Sequence, residues 1–192
     1  MGEIMNIAIR EKSRVFDYLH EIAIGLCGAI LIAVSAPISY HLPFTVVPIT
    51  LQVHVALFVA LLLGPTRGPL SVVTFLLMGA VGYPVFSSGF VGSSALMGPT
   101  AGYLWGYFAA ALLITRFRPS SFKQMVLVMS LGNAVIYLWG AAYLSGFIGV
   151  GNAIKFGVLP FLVGDICKIL LFSKLAGSRS VDSALERFST HR

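Results

Sequence analysis

Ionisable side chains are absent from long stretches of this chain: no Asp, Glu, Lys or Arg occurs between Glu21 and Arg67, between Arg67 and Arg116, or between Lys123 and Lys155. Each gap exceeds the roughly 20 apolar residues that a helix needs to cross hydrocarbon, and the first two are long enough for a pair of helices each. With 57% hydrophobic and 10% charged residues, the chain carries more apolar side chain than a water-soluble fold of this size can hide, soluble domains having about 25% charged residues. A secretory signal would be one short apolar segment ahead of a polar domain. Here apolar segments continue, which points to an all-α integral membrane protein.

Punctuation within the gaps predicts six spanning helices. The first covers 19–36 and stops at Pro37, and the prolines and β-branched residues of 41–48 disfavour further helix. The second covers 49–63 and the third 70–81, joined by a turn at Gly64-Pro65 that exposes Arg67. The segment 82–99 holds four Gly, two Pro and four Ser with no charge, a mixture expected where irregular backbone is buried in protein or lines a cavity. The fourth helix follows Gly98-Pro99-Thr100, with proline tolerated in the first turn, and ends near Arg116. The fifth covers 122–146, a short loop 149–157, and the sixth helix 159–176. The implied organisation is a cytoplasmic N-terminal segment over 1–18, a membrane domain over 19–176 and a polar tail over 177–192.

Eleven basic residues (Arg10, Lys12, Arg14, Arg67, Arg116, Arg118, Lys123, Lys174, Arg179, Arg187 and Arg192) fall on one side of this arrangement and only Lys155 on the other, which predicts cytoplasmic termini. Membrane topology thus accounts for the net charge of +6 without nucleic acid. Segments 37–48 and 82–98 then share the outer side, where two uncharged loops suit a cap over a pocket.

Apart from Glu21 at the start of the first span, Asp165 is the only acid in any predicted span, and Lys168 follows on the same helical face. Both belong in the bundle interior, as a structural ion pair or as ligands for a polar solute. Asn133, Tyr137 and Gly140 share a face of the fifth helix. These residues and Gln52 fit interhelical hydrogen bonding or ligand contact equally, and Trp139 and Tyr143 fit a pocket wall or an interfacial anchor. Gly25, Ala29 and Ala33 repeat at four-residue spacing, a small-residue face open either to internal packing or to a partner helix. Cys27 and Cys167 read as small buried hydrophobes. His20, His41, His54 and His191 are scattered, so no metal site is expected, and no GxxxxGK[ST] phosphate loop is present.

Six stretches together resemble one family: Leu42-Pro43-Phe44 with Val47-Pro48-Ile49-Thr50-Leu51-Gln52; Leu61-Leu62-Leu63-Gly64-Pro65 with Gly68; Gly79-Ala80-Val81-Gly82 with Pro84-Val85-Phe86; Gly98-Pro99-Thr100; Gly102-Tyr103; and Gly164-Asp165 with Lys168. From about residue 22 to 175 the chain is similar to the BioY family, the biotin-specific substrate-binding (S) components of energy-coupling factor (ECF) transporters. The resemblance implies a compact six-helix bundle in the prokaryotic cytoplasmic membrane, with an outward biotin pocket closed by the loops after helices one and three. It implies ligand contacts by Asp165, Lys168 and the region of Ser87, Ser88 and Gly89, where Phe90 and several Ser depart from the glycine-rich run of many relatives. It also implies a transmembrane coupling (T) component contacting the small-residue face of helix one, and two ATPases. ATP and magnesium belong to those partners, so this chain would carry no cofactor and be no enzyme. Read without the resemblance, the residues also allow an S component for another vitamin, a stand-alone carrier, or a structural membrane protein.

Overall fold

A computed structural model describes residues 2–176, with side chains described over 18–176. The tail expected over 177–192 lies outside the described residues. Helix α1 (Gly2–Val34) extends N-terminally well beyond the predicted start at 19, so the backbone of the segment expected to precede the first helix is itself helical from Gly2. Strands β1 (Ser39–Tyr40) and β2 (Ile49–Thr50) pair antiparallel, Ser39 opposite Thr50, and clamp the base of the proline-containing loop between them.

Helix α2 (Gln52–Val81) is broken at Gly64, whose φ of 81° and ψ of −169° are non-helical. Glycine reaches this conformation without a Cβ clash. Pro65 then occupies the first turn of the second arm, where a missing N–H costs nothing. The arms fold back tightly enough that a Cβ on Gly68 would overlap the Ala60 backbone. The expected turn therefore exists, but the second arm begins earlier than 70 and includes Arg67. Arg67 Nε and Nη2 donate to Glu21 Oε2 and Oε1 at 2.7 and 2.5 Å, tying this turn to α1.

Helix α3 (Ser93–Met97) is a five-residue insertion in the segment expected to be irregular. Helices α4 (Ala101–Ile114) and α5 (Phe122–Ile148) follow the expectation closely, and the Ser121 hydroxyl caps α5 by accepting from the Gln124 amide. The span expected as a loop over 149–157 is instead helix α6 (Val150–Gly157). Its glycines suggested a loop, yet glycine is common in membrane helices, and only Gly149, at φ 80°, leaves helical geometry. A turn containing Pro160 then delays helix α7 (Leu162–Ala176) past the expected start at 159, and α6 and α7 meet at a 49° bend.

Helix α2 packs on α1 and α4, α4 on α5, and α5 on α6 and α7, while α7 returns to α2. Apolar surfaces gain little from meeting in lipid, so helices associate where small residues permit close backbone approach. Gly102 and Gly106 do this for α4, facing the Trp139 carbonyl and the Ile136 backbone of α5. The molecule is inverted relative to a soluble protein. Gln52, His54, Asn133 and Asp165 are buried, while Leu31, Val34, Leu77, Leu127, Leu138, Val163 and Ile166 are exposed. Helices α2 and α5 are long and apolar enough to cross a bilayer, and the bent α6–α7 pair qualifies as one further span. Cys27 and Cys167, expected to be buried, are exposed on this apolar exterior; in lipid an apolar side chain has no need of the protein interior.

The small-residue face of α1 is used inside the molecule. Gly25 and Ala29 are buried and Ala33 is partly buried. A Cβ on Gly25 would stand 3.0 Å from Leu70, and one on Gly28 would meet Ser71 and Leu63. The second arm of α2 thus occupies the surface on which a partner helix was expected.

Candidate functional site

The linkers 35–51 and 82–100 meet α4 at one end of the bundle around a small, half-open cavity of about 370 Å³ including its mouth. Val47, Pro48 and Thr50 come from the first linker, Val53 from α2, Ser87 and Ser88 from the second, and Thr100, Tyr103, Leu104 and Tyr107 from the start of α4. The two uncharged segments that the sequence placed on one side do meet here. The first is strapped to α6: Thr45 Oγ1 donates to the Phe156 carbonyl at 2.7 Å, and the Phe44 and Phe156 rings lie 6.5 Å apart.

Apolar walls carry two hydroxyls that lack partners. Ser88 Oγ and Thr100 Oγ1 are buried and make no hydrogen bond among the described residues. Buried polar groups are nearly always paired, so two orphaned hydroxyls on one cavity mark where a solute or water completes the structure. Tyr103 is fixed by donation from its hydroxyl to the Gly157 carbonyl at 2.8 Å.

A charged network lies behind Thr50. Asp165 Oδ2 accepts from Asn133 Nδ2 at 3.2 Å and from the Tyr137 hydroxyl. Its Oδ1 stands 3.0 Å from Lys168 Nζ, which also donates to the Thr50 carbonyl at 2.9 Å. Four residues singled out in the sequence therefore converge, because a spacing of four on α5 and of three on α7 puts both pairs on facing stripes. Of the residues that line the cavity, Thr50 is the one hydrogen-bonded to this network among the described residues.

The other candidates are placed differently. Gln52 is fully buried and holds backbone groups of α1 and of the 82–92 loop. Gly89 sits at the exposed tip of that loop with φ 76°, shaping the turn. Trp139 and Tyr143 contribute backbone and Cβ atoms to the α4 contact at Gly102 but direct their rings to the exterior, with Tyr143 donating to the Met97 carbonyl at 3.2 Å. They lie outside the cavity.

Three participants escaped the sequence reading. Thr100 reads as part of a helix start and of a family-like stretch but not as a site residue, and Tyr107 is not singled out. His54 is wholly buried, stacks on Phe172 and stands 3.9 Å from Asp165 Oδ1; the sequence shows it only as one of four scattered histidines. No group of three His, Cys, Asp or Glu side chains able to hold a metal occurs among the described residues.

Comparison with known proteins agrees with this architecture. A "Probable biotin transporter BioY" of Pyrococcus horikoshii is 35% identical over 162 residues, covering 82% of this chain and 97% of the relative. A "Biotin transporter BioY" of Thermotoga maritima is 36% identical over 149 residues, 76% of this chain and 87% of the relative. The crystal structure of an S-component for biotin from an ECF-type ABC transporter superposes with a TM-score of 0.74 at 24% identity, covering 84% of this chain and 90% of that one, and shows the shared fold. The profile of the BioY family matches residues 7–185, and the chain belongs to that family.

Proposed function

We propose that this chain binds biotin in the cavity at the strapped end of the bundle and serves as the biotin-specific S component of an ECF-type transporter. In this reading the chain spans the cytoplasmic membrane of a prokaryote six times, counting both arms of α2, with both termini in the cytoplasm and the strapped end outside. A T component and two ATPases supply the energy, and ATP and magnesium act on those partners.

The observation that carries the binding site is the pair of unpartnered hydroxyls, Ser88 and Thr100, on an otherwise apolar wall. Biotin asks for this combination. Its ring sulfur and aliphatic chain need apolar contact, while its ureido and carboxylate groups need a few placed donors and acceptors. Asp165, Lys168, Asn133 and Tyr137 form the polar floor behind Thr50. A carboxylate has about four lone-pair sites, so Asp165 retains room for a ureido N–H beside its present donors. Lys168 reaches a ligand oxygen by exchanging it for the Thr50 carbonyl.

Equilibrium binding of labelled biotin to the purified chain in detergent tests the proposal, with thiamine and riboflavin as competitors. Saturable binding near one ligand per chain, unaffected by the competitors, is the expected result. No binding by folded protein, or tight binding of thiamine or riboflavin instead, overturns it. Ser88→Ala and Thr100→Val are each expected to weaken biotin by about 5- to 20-fold, the worth of one buried hydrogen bond, with unfolding temperatures unchanged. Parental affinity in both variants would remove the hydroxyls from the site.

A further inference from the structure

We infer that Gln52 is a positioning residue: it holds the 82–92 loop against the end of α1 and thereby aims Ser88 into the cavity without touching the solute. This rests on the biotin-binding reading above for its consequence, though the geometry stands independently.

A glutamine amide has two N–H donors and one carbonyl acceptor. Both donors of Gln52 are spent on backbone carbonyls, Ile32 at 3.1 Å and Val85 at 2.8 Å, and its Oε1 accepts from the Ser87 amide at 3.3 Å. The side chain is fully buried. Its orientation is forced, because exchanging oxygen and nitrogen would aim the oxygen at two carbonyls. No donor remains for a ligand. Three backbone groups from two segments, 20 and 33 residues away in sequence at the carbonyls, thus converge on one side chain, and the two loop attachments flank Phe86, immediately before Ser88.

The anchor is itself tied to the charged network. The Gln52 amide donates to Thr50 Oγ1 at 3.0 Å, while the Thr50 carbonyl receives Lys168. A continuous chain of contacts therefore runs from Asp165 on α7 through Thr50 and Gln52 to the loop that carries Ser88. Gln52 and Thr50 sit where the first linker becomes α2, so this junction sets the spacing between opposite walls of the cavity.

A residue acting through Ser88 differs measurably from one that only supports the fold. Gln52→Leu and Ser88→Ala are each expected to weaken biotin about tenfold, and the double variant also about tenfold, because groups acting through one contact are not additive. Gln52→Leu combined with Thr100→Val, a position to which Gln52 makes no hydrogen bond, is expected to multiply to about a hundredfold. Multiplicative losses in the Ser88 cycle, or parental affinity in folded Gln52→Leu, overturn the inference. Gln52→Asn replaces Gln52→Leu if the latter does not fold, since it keeps the amide but cannot span Ile32 and Val85 together.

A second measurement requires no ligand. In a background with Cys27→Ser and Cys167→Ser, a cysteine introduced by Ser88→Cys is titrated with a soluble maleimide. Adding Gln52→Asn is expected to raise its labelling rate about tenfold, as loss of two buried hydrogen bonds frees the loop. An unchanged rate rejects the positioning role. Failure of the parent chain to bind biotin with a raised labelling rate would reject the substrate assignment and retain Gln52.

Discussion

Lys168→Met is expected to destabilise the protein by about 3 kcal/mol, the usual cost of removing one partner from a buried ion pair, and to abolish most biotin binding. The Lys168 ammonium serves two acceptors, Asp165 Oδ1 and the Thr50 carbonyl. Without it, the Asp165 carboxylate keeps Asn133 and Tyr137 as neutral donors but loses its compensating charge, and the Thr50 carbonyl is left beside the cavity without a partner. Asp165 is largely shielded, with its side chain 8% exposed against 19% for Lys168, so water offers it little help. The double variant Asp165→Asn with Lys168→Met removes both charges and should recover most of the stability, as neutral replacements of buried pairs commonly do. Its biotin affinity should stay low, because the polar floor of the site is gone. Thermal unfolding and ligand titration in the same detergent separate the two effects. A double variant that binds as tightly as the parent would make the pair packing and nothing more, and a single variant of parental stability would mean that the interior does not require charge balance.

Gly140→Val is expected to cost a further 3 kcal/mol or about that, at the upper end of overpacking effects, and to reduce biotin affinity by about a hundredfold, equivalent to roughly 2.7 kcal/mol. The Tyr103 ring lies directly on Gly140, so that even a Cβ there would overlap it. Tyr103 is also held at its far end, where its hydroxyl donates to the Gly157 carbonyl and a Cβ on Gly157 would overlap that hydroxyl. Tyr103 lines the cavity, so a ring displaced from Gly140 disturbs the space left for a solute. Tyr103→Leu in the Gly140→Val background should relieve the overlap and restore the unfolding temperature without restoring affinity, since the cavity wall and its anchor to α6 are lost. Gly140→Val protein that folds and binds normally would show that Tyr103 does not define the pocket.

Different kinds of information in the sequence carried unequal distances. Charge-free gaps located the membrane segments because a charge in hydrocarbon is expensive wherever it sits. Gly64-Pro65 located the α2 break because the conformation is local. Asp165 with Lys168, and Asn133 with Tyr137, were legible as stripes because helical spacing alone aligns them. Their mutual contact across α5 and α7 is tertiary, and no local pattern encodes it. Trp139 and Tyr143 show the opposite case. An aromatic ring is equally at home against lipid or in a pocket, so their adjacency on α5 could not say which way they face. Cys27 and Cys167 misled for the same reason. Gly25 and Ala29 announced a close helix contact, but a small-residue pattern does not name the neighbour, and α2 proved to be it. His54 and Thr100 were isolated polar side chains in apolar surroundings, and their importance arises only from what the folded chain places, or fails to place, beside them.

The strap over the cavity is fastened at its far end by one side-chain hydrogen bond, Thr45 to Phe156, and one ring contact. Such a bond contributes about 1 kcal/mol net, far less than the glycine-mediated packing of α4 on α5. Loosening of this attachment is therefore expected on the nanosecond-to-microsecond scale of loop motion, with the helix framework left in place. In the proposed transport reading, exchange of a solute at the strapped face and its delivery across the membrane are then separate kinetic events. The dwell time of an idle, loaded chain is governed by the strap together with the solute's own contacts, while the slow step of a full cycle must come from forces large enough to move whole helices.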